Sequence, residues 1–507
     1  MDKTSKACLF RIQEADWEKL EQLIFQRYPR REWGSFFRFG YRRTQWGLLA
    51  CFADDLRPLP GDLDRNSHIV EFRARYILRA QQTLERSPLA MGMIHSHPEG
   101  AAPLPSRLDD DMDDYFAREF GQYGKGAPYI SLIFSRKKDG TVHFTGRAFD
   151  HGQWMLVAEM FTIGKTLKRE RPLMIGGADD GAGQGQIETP PAPTARLDCL
   201  IGRQGSERLR HAKVGIIGCS GTGSPAAHIL ARAGVGHLVL VDPKRVSSSN
   251  HERLHGCRHA DLARDPAPFK IEVLARLIRE INPEARITGI VGNILDEEVL
   301  DYLLTCDLLL GCTDSFHSRA ALGDLSAHYL LTSIDMGVKM RAVENHLTEQ
   351  LGEIVRNAPW EPCPWCQGRI NQSALAYELM TEAERLARRD AAQEAVARGV
   401  DGAQYWGGEP PQELTVGYMT SVVGSMAAGY AIGWLTGSSA MPHQRFQFDL
   451  GWPKLGAVPA ETARNPECSC GRTRAWADQA RADRSVSRPR HWPAPVVLNT
   501  EFHLQKT

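Results

Sequence analysis

Residues 213–227 read KVGIIGCSGTGSPAA. The apolar run KVGII has strand length and is closed by glycines. SPAAHILARAGV then follows with helical spacing of its apolar residues. Gly218, Gly221 and Gly223 fall between strand and helix. Glycine there lets the backbone approach phosphate oxygens, and a helix N-terminus stabilises their charge. The next apolar run, HLVLVD, ends at Asp242, which suits a carboxylate accepting from ribose hydroxyls. The spacing is G-x-x-G-x-G, with Ser220 where G-x-G-x-x-G has its second glycine. By itself this turn predicts a dinucleotide or ATP.

Outward from the turn, strand and helix patterns alternate. PFKIEVLARLIREINP is an amphipathic helix stopped by Asn282-Pro283, and DLLLGCTD is another buried strand. Alternation of this kind predicts an α/β, Rossmann-like unit with a mostly parallel sheet and helices on both faces. The polar residues around the turn separate the two ligands. SSSNHERL carries Asn250 and Arg253, Lys270 opens a helix, and Asp314 ends a strand. A nicotinamide slot is apolar and flat and needs no such set. ATP with Mg2+ needs cations for the triphosphate and a carboxylate for the metal.

The ordered string resembles the ThiF/E1 family: the glycine loop, VDPxxVxxSNxxR, a Lys at the head of a helix ending in INP, and CTDS. The resemblance implies that Asp242 holds the ribose, that Asn250, Arg253 and Lys270 contact the phosphates, and that Asp314 binds Mg2+. It also implies adenylation of the C-terminal carboxylate of a ubiquitin-like or sulfur-carrier protein. A homodimer follows from the same likeness, with Arg196 or Arg203 reaching the partner's nucleotide.

A second constellation lies upstream in AMGMIHSHPEGAAPLPSRLDDD. His95 and His97, at i and i+2 of a strand, point the same way. A carboxylate after a short loop completes a three-ligand face and leaves zinc a fourth position for water. A general base and an oxyanion donor are then required. The strand ending in HSHP, followed by SxxD, resembles the JAMM metalloprotease motif of the JAB/MPN family. That resemblance implies zinc on His95, His97 and Asp109, oxyanion support from Ser106, and an upstream Glu as base. Glu32 in RREWGSFFRFG is the first candidate, and Glu71 the second. Eight residues separate His97 from Ser106, where the family pattern usually has seven, so Asp110 competes with Asp109.

EPCPWCQG and PECSCGRT place Cys363, Cys366, Cys468 and Cys470 as a four-thiolate set closed to other ligands, the pattern of a structural zinc. E1-like proteins often carry such a site here. A full E1 also needs a thiol for thioester transfer. Residues 371–415 contain no Cys, and Cys257 is the substitute. Cys219 and Cys312 read as small neutral residues lining the crevice.

The chain has 507 residues, with 61 Lys+Arg against 61 Asp+Glu. Zero net charge argues against counterion-driven nucleic-acid or membrane-surface binding. Eleven cysteines and a start, MDKTSKACLF, without an apolar signal core predict a cytoplasmic chain. Thr415 to His443 lacks charge but reads as a buried helix.

The expected organisation is an α+β JAB/MPN-like unit over 1–166 and a Gly/Pro-rich linker over 167–196. The ThiF/E1-like unit takes 197–473, and an aperiodic tail draped on the surface takes 474–507. The two likenesses together resemble bacterial ubiquitin-like systems related to antiphage defence. One end point is conjugation through an E2-like partner, and the alternative is a thiocarboxylate for sulfur transfer.

Overall fold

The computed structural model describes residues 6–26, 31–65, 69–173, 194–399, 415–451, 455–458 and 463–498. They form two compact units. The first gathers residues up to 190 together with 328–330 and 473–483, and the second holds the remainder.

The first unit runs β1 (Ala7–Gln13), α1 (Glu14–Ile24), β2 (Gly34–Thr44), β3 (Gly47–Leu56), β4 (Leu63–Arg65), β5 (Val70–Phe72) and α2 (Ala74–Glu85). It continues with β6 (Ala90–Ser96), α3 (Arg107–Tyr123), β7 (Tyr129–Arg136), β8 (Val142–Asp150), β9 (Gln153–Ile163) and β10 (Leu167–Glu170). Its sheet order is β1-β3-β2-β6-β7-β8-β9-β10, and β1 also pairs with β9, closing a barrel-like sheet. Strand alternation divides two cores. Phe37, Phe39 and Ile94 pack with Trp17 and Leu20 of α1. Phe36, Met91 and Met93 face the other way, among Tyr76 of α2 and Phe116 and Phe120 of α3. The β7–β8 hairpin turns at Asp139-Gly140, where Gly140 has φ +87° and Thr141 N donates to Asp139 Oδ1 at 2.8 Å.

Two expectations need correction here. The stretch read as a linker begins with a strand, because Leu167 is buried and β10 pairs antiparallel with β9. Residues 174–193 of that stretch lie outside the described residues, and its last two, Ala195 and Arg196, open helix α4 (Ala195–His211). Nor is the tail simply draped. Tyr41 N donates to Gln479 Oε1 at 2.7 Å, and Asp478 accepts from Arg42 and Tyr329. An aperiodic Arg/Pro-rich string carries no signal for such contacts, since they satisfy polar groups rather than bury an apolar face.

The second unit runs α4 (Ala195–His211), β11 (Lys213–Ile217), α5 (Gly223–Arg232), β12 (His237–Val241), α6 (His259–Leu262), α7 (Lys270–Ile281), β13 (Arg286–Val291), α8 (Glu297–Leu303) and β14 (Leu308–Gly311). It goes on with α9 (Phe316–Tyr329), β15 (Ser333–Val343), β16 (His346–Asn357), α10 (Gln372–Leu379), α11 (Glu382–Ala397) and α12 (Gly417–Thr436). It ends with β17 (Arg445–Asp449), β18 (Leu455–Val458), α13 (Ser469–Arg472) and β19 (Val496–Leu498). The sheet order is β18-β17-β16-β15-β14-β11-β12-β13-β19.

From β15 to β13 the pairing is parallel, as the strand–helix alternation predicts. The strands beyond β15, and β19 at the opposite edge, are antiparallel additions. Strand β19 comes from the stretch read as tail. Helix α12 is the expected buried helix, packed on α4, α5, β15 and β16. Among the described residues no helix is long and apolar enough to cross a membrane.

Buried charges tie the antiparallel strands together. Asp335 accepts from Arg319 at 2.9 Å and Arg369 at 2.8 Å, and Glu353 accepts from Arg369 and Arg445. Removing one partner would strand a buried charge, at about 3–5 kcal/mol.

Asp324, on α9, accepts from Ser485 N and Ser485 Oγ, both at 2.8 Å. Burial pushes its carboxyl up from 3.8 to about 7, against those two hydrogen bonds. The unfolded carboxyl ionises at lower pH than the folded one, so the fold binds the extra proton between the two values. Stability is therefore lost as pH rises from about 4 to about 7, and the loss is complete above that window. Asp324→Asn should remove this component. Between pH 5 and pH 8 the urea midpoint of the wild type should fall more than that of the variant.

Candidate functional site

The first unit builds a three-donor centre from β6 and α3. Met91 and Met93 face α3, so the two-residue period carries His95 and His97 to that side. Ser106 caps α3: its Oγ accepts from Asp109 N at 3.3 Å, and its own N donates to Asp109 Oδ2 at 2.7 Å. This capping box turns Asp109 back toward the histidines. Nε2 of His95 and of His97 lie 3.3 Å apart. Asp109 Oδ1 is 3.1 Å from the first, and Oδ2 is 3.6 Å from the second.

Metal–ligand bonds of 2.0–2.1 Å in a tetrahedral zinc site separate ligand atoms by roughly 3.3 Å. The three donors fit that spacing. His97 Nδ1 donates to Ala102 O at 3.0 Å, which leaves Nε2 as the free lone pair. Asp110, the competing carboxylate, turns away to Arg147 Nη1 at 2.6 Å.

Antiparallel pairing of β2 with β6 recruits the distant glutamate. Gly34 is opposite His95, and Ser96 N donates to Trp33 O at 2.9 Å. Glu32 lies two residues before that pairing begins and acts on His97 electrostatically. Any side chain at Gly34 would crowd the centre, since a Cβ there would lie 2.9 Å from Phe72 and 3.2 Å from His95 Cβ. Burial works against a charged His97, but Asp109, Ala102 O and Glu32 outweigh it and hold its pKa above the usual value. Burial likewise opposes the Asp109 carboxylate, and its bonds from His95 and His97 hold it well below the ordinary range. Glu71 lies on the separate β4–β5 hairpin, with its side chain exposed.

The second unit forms its crevice where the strand order reverses, between β11 and β14. Gly218 has φ +95°, and a Cβ there would lie 2.7 Å from Cys312 O. Only glycine lets the two strand ends meet this closely. Gly221 and Gly223 follow at the head of α5.

Asp242 is buried beneath the loop and accepts from Cys219 N at 2.9 Å and Lys244 N at 2.8 Å. Each of its oxygens keeps a second lone pair. Asn250 accepts from Ser247 N at 3.0 Å and so shapes its turn. Arg253 donates to Thr415 O at 3.2 Å and also to Thr415 Oγ1, while its buried Nε finds no acceptor. The buried hydroxyl of Ser220 is also unpartnered.

Lys270 opens α7, nearly buried. Burial lowers its pKa, Asp242 opposes that, and Lys244 and Arg253 add to it. Three cations thus crowd the glycine loop around one carboxylate, and two buried polar atoms there lack partners. A polyanion fits this electrostatic imbalance. Asp314 stands exposed at the end of the β14 strand, ahead of α9.

The remaining predicted residues are placed with less consequence. Arg196 and Arg203 are both exposed on α4, either side of Gly202 at φ +72°, and the geometry does not separate them. Cys219 and Cys312 are buried beside the crevice, and burial raises both thiols. Cys257 is also raised, by burial and then Asp261, against the weaker pull of Arg276. Sequence reading missed Ser220 and Thr415, the first a hydroxyl inside the glycine loop and the second at the head of the uncharged stretch.

Cys363, Cys366, Cys468 and Cys470 converge. Sulfur separations are 3.8 Å for 363–366, 3.6 Å for 363–468 and 3.8 Å for 366–470. Tetrahedral Zn–S bonds near 2.3 Å require roughly 3.8 Å. The cluster could therefore hold a metal ion. Losing one ligand should cost several kcal/mol of a folding contribution of roughly 10 kcal/mol or more. Cys366→Ser should lose one metal equivalent by elemental analysis, with a Tm lower by about 10 °C.

A family model described as the ThiF family matches residues 195–470. Ubiquitin-like modifier-activating enzyme 5 of Drosophila willistoni is 32% identical over 28% of this chain and 36% of its own. Adenylyltransferase and sulfurtransferase uba4 of Emericella nidulans is 32% identical over 32% of this chain and 31% of its own. The chain thus spans only about a third of the length of these two curated relatives. Among solved structures, E. coli MccB is 19% identical, with a TM-score of 0.42, over 57% of this chain and 74% of that one. The glycine loop, the cation cluster, Asp314 and all four converging cysteines lie within the matched residues, which make up more than half of the chain, and the protein belongs to the ThiF family.

Proposed function

We propose that the second unit uses ATP to adenylate the C-terminal carboxylate of a ubiquitin-like or sulfur-carrier protein. The observation that carries this is the excess of Lys244, Arg253 and Lys270 over the single carboxylate of Asp242 around the glycine loop. The carboxylate would attack the α-phosphorus and form a C–O–P bond, and diphosphate would leave. Arg253 and Lys270 would neutralise charge gathering on the phosphates, and Asp242 would accept from the ribose hydroxyls. Asp314 would hold Mg2+, which supplies charge neutralisation to the diphosphate as it departs. Arg196 or Arg203 would complete the site from the partner in a homodimer. The names of two relatives, one a ubiquitin-like modifier-activating enzyme and the other an adenylyltransferase and sulfurtransferase, support this reading.

The first unit, in the same proposal, is a JAB/MPN-type zinc (iso)peptidase working on the same tail. The convergence of His95, His97 and Asp109, with Glu32 brought in by strand register, supports it. Zinc, when bound, would lower the pKa of water and polarise the scissile carbonyl. Glu32 would take the water proton and hand it to the leaving nitrogen. Ser106, by capping α3, would keep Asp109 on the metal and sit beside the oxyanion. Trimming would expose the terminal carboxylate that the second unit activates, and isopeptidase action would remove the modifier again. A bacterial ubiquitin-like pathway of the antiphage-related kind would use both activities.

A second end point is a thiocarboxylate. The raised thiol of Cys257 and the lack of Cys in residues 371–415 favour attack on the adenylate by an external sulfur donor over an enzyme thioester.

The test is the intact mass of a ubiquitin-like protein encoded beside this gene, incubated with the chain, Zn2+, ATP and Mg2+. Loss of C-terminal residues should require His95, and an AMP adduct should require Asp314. His95→Ala should abolish trimming and spare the adduct on a pre-trimmed partner. Asp314→Ala should do the reverse. If either variant, folded, lost both activities, the assignment of two independent sites would be wrong.

A further inference from the structure

Asp314 makes no hydrogen bond of its own among the described residues, so its place depends on the backbone that carries it. That backbone is held from a distant element. Glu378, on α10, accepts from Phe316 N at 2.9 Å and from His317 N at 3.0 Å. These are first-turn N–H groups of α9, which have no partner within the helix. A local Ser or Asp commonly caps such a turn. Here Ser315 is at hand, but its hydroxyl is engaged with Thr313 Oγ1 at 3.2 Å and His317 Nε2 at 3.4 Å.

The same glutamate orients an imidazole. Glu378 Oε2 lies 2.8 Å from His317 Nδ1, so Nδ1 carries the proton. His317 Nε2 then faces Ser315 Oγ and, at 3.3 Å, Asn293 Nδ2. The Trp492 ring covers the imidazole edge-on, with centroids 5.1 Å apart. Asp314 is thus bracketed by bonded neighbours on both sides, and all of them lead back to one carboxylate.

We propose that Glu378, acting through His317 and the head of α9, is a positioning residue that aims Asp314 at the metal of bound ATP. This rests on the adenylation reading above. Its content is narrow: losing Glu378 should weaken the metal-dependent part of nucleotide binding and spare the part due to Arg253 and Lys270. Groups that orient metal ligands typically contribute 10–100-fold to metal affinity, so an effect of about tenfold is expected.

The experiment is calorimetric titration of the full chain with ATP, in Mg2+ and in EDTA. In the wild type Mg2+ should tighten ATP binding, and Asp314→Asn should abolish that gain. Glu378→Ala should cut the gain about tenfold, with affinity in EDTA unchanged. Glu378→Gln keeps an acceptor for the backbone and should recover part of it. Hydrogen exchange supplies a readout without nucleotide: amides at 315–319 should exchange faster in Glu378→Ala and recover partly in Glu378→Gln.

If Mg2+ or Asp314→Asn leaves ATP affinity unaltered, the role given to Asp314 fails, and this inference with it. If both behave as expected and folded Glu378→Ala keeps the full Mg2+ gain, the adenylation reading stands and the positioning role is overturned. Equal losses in Mg2+ and EDTA would also overturn it, since they would reflect general loosening of the crevice.

Discussion

The second unit depends on two backbones meeting at the point where its strand order reverses. Gly218 turns with positive φ after β11, against the carbonyl of Cys312 at the end of β14. Without a side chain there, the loop and the strand end close into one crevice. That contact brings together the loop and the strand end that carry several of the crevice's polar groups. Cys219 N and Lys244 N hold Asp242, the loop places Ser220 inside, and the β14 end presents Asp314. A bulkier residue at 218 would separate the strand ends and disperse the cations that surround them.

The chemistry of both sites comes from charge imbalance held in place by packing. Around the glycine loop cations outnumber carboxylates, and burial penalises Lys270 in the absence of an anion. At the other site three donors converge at the spacing of ligand atoms around one ion. A carboxylate already bonded to two imidazoles and a helix cap loses its freedom to turn away.

Several of these features were legible in sequence because they rest on short-range rules. Two-residue alternation put His95 and His97 on one face. Ser106 and Asp109 stood out through the SxxD spacing, and the structure added their capping box. Glycines between a strand and a helix predicted the phosphate-sized turn. The 363–366 and 468–470 pairs announced a shared metal-sized cluster. The parallel strands followed from alternating strands and helices. What escaped was non-local or aperiodic. The β10 strand lay hidden at the start of a Gly/Pro-rich stretch, and β19 in an Arg/Pro-rich one, because three or four residues carry too little periodicity to register.

The sequence by itself determined which residue types stand at which spacing, and with them the expectation of a triphosphate in one unit and a three-donor metal centre in the other. Only the tertiary structure separates the competing candidates in space. Asp109 rather than Asp110 meets the histidines, because helix phase sends one carboxylate inward and the other to Arg147. Glu32 rather than Glu71 comes beside His97, because β2 pairs with β6 while Glu71 stays on its own hairpin. Glu378 reaches the head of α9 from 61 positions further along the chain. No local pattern encodes that, since the separation is set by how the sheet and its helices pack.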